Sequence, residues 1–506
     1  MSQIRRKSII SSLLVYIGFV LGFINTYLFT KQGGFTQQEY GLVGIFMALA
    51  SLLFSVANVG MPPFITKFFP YYKANLPAKQ NDMLSIALLL STIGYGLVTV
   101  AGVYFKDIII LKFGKNSPQL ITYYYWLFPF GFGLSLYTIL ESYAWQLNQS
   151  VITTYLREIQ FRLLSTILIV LVFVGVIHQF DVFVKLFSFT YLVIAILLIT
   201  YLAKKGNIYF TTVVSKVTKK FYKKIITLVS FVFGGTVLYG ISLIFDSVVI
   251  ASVLPQGLAA VAVFTLGQYM ANLIQAPQRG ILASAMGPLS QAWKDKDLAR
   301  IDNIYKQSSI NQLIFATGIF CLLWLNFTDG IITFKLQTGY LQAKWVFFFV
   351  GLYRIVDMGT GLNSQIIATS IHWRFEFFTG IILLLLTLPL TYFLTKMPTL
   401  GILGPPIASL ISFSVYNAVR YWFLLHKYKL QPFTLKTLYT IIVALSSYLI
   451  CYYLFSSHIG IIWMCARSSM FLLLFTIGVL QLKLSKDVLP VWNTFAKKIG
   501  VQKIFK

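Results

Sequence analysis

The chain predicts an all-α polytopic membrane protein of about fourteen transmembrane helices. Three observations carry this. Of its 506 residues, 58% are hydrophobic and 11% charged, and the mean hydropathy is +0.78. The apolar residues fall in continuous runs near the ~20 residues that a helix needs to cross ~30 Å of hydrocarbon. The net charge of +27 concentrates in alternate connections, as it does where basic residues are retained in the cytoplasm. A bilayer core admits only helices or closed barrels. These runs are continuous rather than alternating, so they are helices. No stretch between them exceeds roughly 25 residues, about one span, so the chain acts in or across the bilayer.

The runs begin at Ser8, Tyr40, Met83, Ile121, Ile159, Phe183, Ile225, Ala259, Ile310, Trp345, Phe377, Ile402, Leu438 and Ile461. The first follows Arg5, Arg6 and Lys7 and ends in a turn at Thr30-Lys31-Gln32-Gly33-Gly34. No small-residue cleavage site follows, so it reads as an uncleaved first helix with a cytoplasmic N-terminus. An even number of spans returns the C-terminus to the same side. Lys67, Lys73 and Lys79 then fall inside, as do Lys204, Lys205, Lys216, Lys219, Lys220, Lys223 and Lys224. Lys294, Lys296, Arg300, Lys306, Lys427, Lys429, Lys436 and the tail from Lys483 follow suit. Outer connections near Asp181, Pro255 and His458 are short and almost free of basic residues. The connection with Lys106, Lys112 and Lys115 is the one exception to the charge rule.

The basic loop 204–224 is the expected internal boundary. It separates a six-helix lobe, 1–203, from a second, 225–426; an extra helix pair, 427–481, and a basic tail, 482–506, complete the plan. An internal repeat accompanies it. The run from Tyr40 ends in Met61-Pro62-Pro63 and Phe68-Phe69-Pro70, and the run from Ala259 ends in Ala276-Pro277 and Gly287-Pro288. Transporters are often built from such repeats. The segment 288–307 mixes both charges with periodic apolar residues and predicts an interfacial amphipathic helix. The tail predicts the same on the inner leaflet.

The charge placement excludes a nucleic-acid role: it is a topology signal with anionic-lipid contact. Cys321, Cys451 and Cys465 lie in or beside spans without metal-ligand spacing, so they read as packing residues with neither a metal site nor a disulfide framework. No Gly-rich phosphate loop or HExxH motif occurs, and no cofactor is implied. His178, His372, His426 and His458 sit at span ends, far apart in sequence. Short outer connections argue against a membrane glycosyltransferase or polymerase, and no catalytic residue stands out.

The informative residues are ionisable groups inside spans, costly in hydrocarbon and expected to face a cavity or a partner. Arg354 lies about ten residues from either end of its span, and Asp357 one turn further inward. Arg279 sits roughly eight residues from the inner end of its span, at a similar depth. Arg467 and Asp246 lie in the outer parts of theirs. Arginine is always charged and binds phosphate oxygens bidentately. Arg279 and Arg354, with Arg467, are therefore candidates for holding an anionic head group, and Asp357 and Asp246 for ion coupling. The plainer reading pairs Arg279 or Arg354 with Asp357, which shares a helix face with Arg354. Arg420, Glu141, Arg157 and Glu158 are close enough to the surface to snorkel. Asn25, Asn58, Asn272, Asn363 and Asn417 mark either a polar lumen or helix–helix hydrogen bonds.

With those residues in view, the chain resembles the Wzx-type polysaccharide flippases of the multidrug/oligosaccharidyl-lipid/polysaccharide exporter superfamily over essentially its whole length. The carriers are Gln38-Glu39-Tyr40-Gly41, Asn58-Val59-Gly60 with Lys67-Phe68-Phe69-Pro70, and the stretch RIVDMGTGLNSQIIATS from Arg354 to Ser370. Leu400-Gly401-Ile402-Leu403-Gly404-Pro405-Pro406-Ile407-Ala408-Ser409 follows, then Tyr416-Asn417, Arg420 and Gln431-Pro432-Phe433. The resemblance implies two six-helix lobes in a V shape plus two C-terminal helices. It implies export of an undecaprenyl-pyrophosphate-linked oligosaccharide from the inner to the outer leaflet of a bacterial inner membrane. Basic cavity residues would hold the pyrophosphate, here Arg279 and Arg354, with Arg467 and Asn363 as further candidates. It also implies a monomer whose partners are its lipid-linked substrate, membrane lipids and glycan polymerase machinery. The alternatives are a cation-coupled multidrug-type antiporter, which typically has twelve spans and cavity carboxylates, and a lipid II flippase.

Overall fold

The computed structural model describes residues 3–456 and 458–485; within that range a few side chains, Arg279 among them, lie outside the description. The basic tail from residue 486 onward also lies outside the described residues. Every regular element among the described residues is a helix. Ten are long and apolar enough to cross a membrane, and one bent pair makes eleven. The three other expected spans coincide with helices that are less apolar, shorter or interrupted. These are Leu127–Gln146; the run from Ser150 to Phe173, which passes through a π-helical turn at Tyr155–Gln160; and Gly257–Asn272, followed by Gln278–Lys294. The chain is thus a multi-pass membrane protein. It divides into two compact units, Met1–Ala262 and Val263–Lys506; the helix Lys216–Val253, which begins inside the stretch 204–224 expected as a basic loop, belongs to the first.

In the first unit the helix Gln37–Ala57 packs on Met83–Tyr104, Leu127–Gln146 and Lys216–Val253. Its start is fixed by a reciprocal cap. The Glu39 amide donates to Thr36 Oγ1 at 3.3 Å, and the Thr36 amide donates to Glu39 Oε2 at 2.7 Å, satisfying two donors that a helix N-terminus leaves free. Its end is fixed by Asn58, whose Oδ1 accepts from Gly60 N at 2.8 Å and whose Nδ2 donates to Phe54 O at 2.9 Å. Gly60 then turns the chain at φ +70°. Pro62 and Pro63 follow in the first turn of Met61–Asn75, where a missing N–H costs nothing. The expected proline break is therefore an Asn-Gly break, and the prolines start the next helix. Phe130, Phe161, Phe187 and Tyr191 pack ring against ring inside this unit at centroid distances of 4.4–6.3 Å.

In the second unit Ala343–Gly359, Trp373–Lys396 and Gly404–Tyr428 pack together, and Leu298–Thr333 packs on Ala343–Gly359 and on the last two helices, Leu435–Leu454 and Ile461–Gln481. Leu289, Ala292, Ile301, Tyr305, Leu362 and Leu424 form a buried cluster at one end. The amphipathic helix expected over 288–307 is not continuous. The helix Gln278–Lys294 ends there, Lys296 adopts φ +56°, and Asp297 Oδ1 accepts from Arg300 N at 2.9 Å to start Leu298–Thr333. The mixed charges that suggested one interfacial helix instead terminate one helix and cap the next.

Close helix approach depends on small residues, because lipid tails supply no hydrophobic drive between helices. A Cβ on Gly94 would collide with the backbone carbonyl of Ala57, whereas one on Gly96, two residues along the same helix, would meet nothing within 4 Å. Gly94→Leu is expected to destabilise by about 1–3 kcal/mol, the usual range for overpacking, and Gly96→Leu to have little effect. Paired thermal melts in detergent check this; equal Tm values for the two variants would contradict the packing described.

Candidate functional site

The second unit holds a connected polar network where a membrane helix is broken. Ala343–Gly359 stops at Thr360-Gly361-Leu362, and the chain restarts as Asn363–Thr369 after a bend of 46°. Gly361 takes φ +69°, a conformation that favours glycine, and a Cβ there would press on Ser308 and Ser309 at 3.1 Å. The freed carbonyls are met by hydroxyls: Ser309 Oγ donates to Gly359 O at 2.5 Å and Thr360 Oγ1 to Asp357 O at 2.8 Å.

Asn417, 1% exposed on Gly404–Tyr428, is the hub. Its Oδ1 accepts from Asn363 Nδ2 at 2.8 Å and from Thr360 Oγ1 at 3.0 Å. Its Nδ2 donates to Asp357 Oδ1 at 3.2 Å and to Phe413 O at 3.0 Å. All four of its hydrogen-bonding sites are used. Ser364, beside Asn363, donates to Glu376 Oε1 at 2.7 Å. Arg420 pairs with that same oxygen, donates through Nε to Thr379 Oγ1 at 3.3 Å, and lies 3.6 Å over the Tyr416 ring. Glu376 Oε2 is buried without a hydrogen-bond partner. The network thus holds two carboxylates, Asp357 on Asn417 and Glu376 on the almost fully buried guanidinium of Arg420.

Of the expected site residues, Asp357 and Asn363 come together here. Arg354, one turn before Asp357, donates to Asn272 Oδ1 at 3.2 Å and lies 4.6 Å over the Tyr353 ring. The ion pair with Asp357 that the spacing allowed does not form among the described residues. Arg279 sits near the start of Gln278–Lys294, and its side chain lies outside the description. Arg467 is placed apart from the network. It is 5% exposed, paired with Asp329 at 2.5 Å and bonded to Asn326 at 3.0 Å, tying the last helix to Leu298–Thr333. Asp246 is half-buried on Lys216–Val253, in the first unit. Asn58 serves local structure, whereas Asn25 joins two helices: it accepts from Thr166 Oγ1 at 2.6 Å and donates to Arg162 O at 3.0 Å.

Nothing in the motifs singles out Glu376, and depth alone makes Arg420 a snorkelling cation. Their partnership spans 44 residues, and no local pattern encodes it. The one available signal was an acid opening an otherwise apolar run, Phe375-Glu376-Phe377. The first unit holds a second surprise. Arg157, on the π-helical turn, donates to Glu141 Oε2 at 3.0 Å; the Glu141 side chain is 4% exposed and that of Arg157 is 51%. Glu141 is anchored in the protein and holds the guanidinium by one edge, leaving its other donors at an open surface. Among the described residues, no three His, Cys, Asp or Glu side chains gather as a metal site.

No family model matches the chain, and no curated protein does. Solved structures do. The lipid II flippase MurJ in an inward closed conformation superimposes with a TM-score of 0.69 at 15% identity, over 97% of this chain and 99% of that one. A multidrug resistance MATE family transporter of the MOP superfamily, inward-facing, gives 0.61 at 16% identity over 80% of this chain and 93% of its own. The outward-facing form of such a transporter gives 0.53 at 13% identity over 82% of this chain. At these identities the likeness is one of fold: the chain has the fold of the transporters and flippases of the MOP superfamily.

Proposed function

We propose that this protein flips an undecaprenyl-pyrophosphate-linked oligosaccharide from the inner to the outer leaflet of a bacterial inner membrane, for surface polysaccharide assembly. The observation that carries a flippase reading is the extent of the likeness. The flippase fold accounts for 97% of the chain, whereas the inward-facing multidrug transporter leaves about a fifth unmatched. The Wzx-like motifs from Arg354 to Ser370 and around Asn417 and Arg420 direct the reading to an oligosaccharide. A lipid II flippase is the second reading, favoured by that same superposition.

The chemistry of the proposal is that of carrying a hydrophilic anion past hydrocarbon. Sugars and pyrophosphate need a polar, hydrated path, while the polyprenyl tail can stay in lipid. Arg354 in the second unit and Arg157 in the first are partly open guanidiniums, suited to phosphate oxygens. Asn272 orients Arg354, and Glu141 orients Arg157. Asp357 is our leading ion-coupling residue, since its carboxylate touches the broken helix through Asn417; Asp246 is the other. Alternating access then exposes the head group to each side. An interior-negative potential assists at roughly 2.3 kcal/mol per exported charge per 100 mV. The N- and C-termini face the cytoplasm, the protein acts as a monomer, and a glycan polymerase takes up its product.

In a strain lacking the protein, lipid-linked oligosaccharide is expected to accumulate in the cytoplasmic leaflet, and wild type to clear it. Arg354→Ala is expected to slow clearance about 10–100-fold, the equivalent of losing a charged hydrogen bond of ~1.5–3 kcal/mol, with Arg354→Lys intermediate. Leaflet accessibility of the extracted species reports this. Accumulation of lipid II instead would select the second reading, and absence of any lipid-linked species would reject both.

The Arg420–Glu376 pair is expected to hold the frame rather than the substrate. Arg420→Ala strands the Glu376 carboxylate and should cost about 3–5 kcal/mol. Arg420→Met with Glu376→Gln should recover part of that. Thermal melts of the two single variants and the double variant measure the coupling; additive losses would show that the pair is not a unit.

A further inference from the structure

The first unit carries a groove against the start of one of its spans. An open cavity of about 520 Å³ lies between the start of the helix Met83–Tyr104 and the segment 210–214. Its walls are Ile86, Leu89 and Thr92 on the helix, and Phe210, Val213 and Val214 on the segment. Leu89, Phe210 and Val213 are 61%, 64% and 71% exposed. The groove is built, not a gap between loose loops. Ser85 Oγ accepts from Thr211 N at 3.0 Å. Asp82, 1% exposed, accepts from Ser215 N and Thr218 Oγ1, both at 2.8 Å, and Thr218 Oγ1 lies 2.7 Å from Tyr72 OH.

The second observation is charge. Lys79 precedes Asp82 by three residues and Lys216 follows Val214 by two; both are exposed, as are Lys219 and Lys220 in the next turn. No acidic residue occurs between Asp181 and Asp246, and between Glu39 and Asp107 the only one is the buried Asp82. A free anion would find no use for the apolar walls, and a neutral lipid none for the lysines. A molecule with an acyl chain and an anionic phosphate uses both. Burying methylenes favours the acyl chain in the groove, and lysines near the surface attract the anionic head.

We propose that this groove binds an anionic glycerophospholipid of the surrounding leaflet, with an acyl chain along Leu89 and Val213 and the phosphate among Lys79, Lys216 and Lys219. Bound there, it braces the start of Lys216–Val253 against Met83–Tyr104, adding to the clasp that Asp82 makes from inside. The proposal is independent of the flipped substrate.

The test is binding of phosphatidylglycerol and phosphatidylcholine, with identical acyl chains, to the detergent-purified full chain by native mass spectrometry. Wild type is expected to bind phosphatidylglycerol about tenfold more tightly. The variant Lys79→Gln/Lys216→Gln/Lys219→Gln is expected to lose that preference while keeping its phosphatidylcholine affinity. Val213→Trp, which fills the groove, is expected to weaken both lipids. Equal affinity of wild type for the two lipids would overturn the proposal without any variant. So would a triple variant that keeps its preference, or a Val213→Trp protein with a parental melt and unchanged binding of both.

Discussion

Each break in a membrane helix frees main-chain N–H and C=O groups that hydrocarbon cannot satisfy, at several kcal/mol apiece. This chain breaks its helices repeatedly, and the remedy is a short polar side chain at the break. At the first, Asn58 accepts from the Gly60 amide and donates to the Phe54 carbonyl. At the second, Ser309 and Thr360 take the carbonyls of Gly359 and Asp357, and Asn363 Oδ1 accepts from the Ser364 amide at 2.6 Å. Asparagine is favoured because one amide can accept and donate together. Both breaks also carry a glycine at positive φ, Gly60 and Gly361. The polar network of the second unit is built outward from this requirement.

The same requirement explains why the network extends as far as it does. Asn417 holds the side chains at the break with its whole amide, which brings in Asp357 on one side and Asn363 on the other. Through Ser364 the chain of bonds reaches Glu376, and a half-buried carboxylate is stabilised by a cation; Arg420 supplies it, stacked on Tyr416. Four helical segments are thereby tied together by polar contacts. Such networks are expensive to disrupt, because every member left unpaired in a low dielectric pays its full desolvation cost.

The fold was legible because it rests on local patterns. Apolar runs of spanning length, alternating basic connections and turn residues all act over short stretches of chain, and they placed the helices of both units. The reading slipped where a local pattern serves two purposes. Charges within 288–307 that suggest one amphipathic face are end signals for two helices, with Asp297 as a cap. Pro62 and Pro63 looked like a break, but they sit just after it. The site was legible in part. Asp357, Asn363 and Asn417 lie within or near the motif-bearing stretches. The pairings Arg420–Glu376, Arg157–Glu141 and Arg467–Asp329 join residues between 16 and 138 positions apart, and sequence spacing has no way to choose among the possible partners.

Those pairings also sort the arginines by what they can do. A guanidinium has five donors, and its freedom to meet a ligand depends on how many the protein has taken and whether the rest reach open space. Arg467 gives its donors to Asp329 and Asn326 and is almost wholly buried, so it is spent on joining two helices. Arg420 is likewise enclosed by Glu376, Thr379 and Tyr416. Arg157 is held by a single carboxylate oxygen with half its surface open, and Arg354 by a single amide oxygen. Holding by one edge fixes direction without consuming the fork, which is the arrangement that phosphate recognition requires. Depth in the span, the criterion available from sequence, ranks Arg354 above Arg157. Partnership ranks them together and sets Arg467 aside, and partnership is the property that decides whether a buried cation can act on anything besides the protein itself.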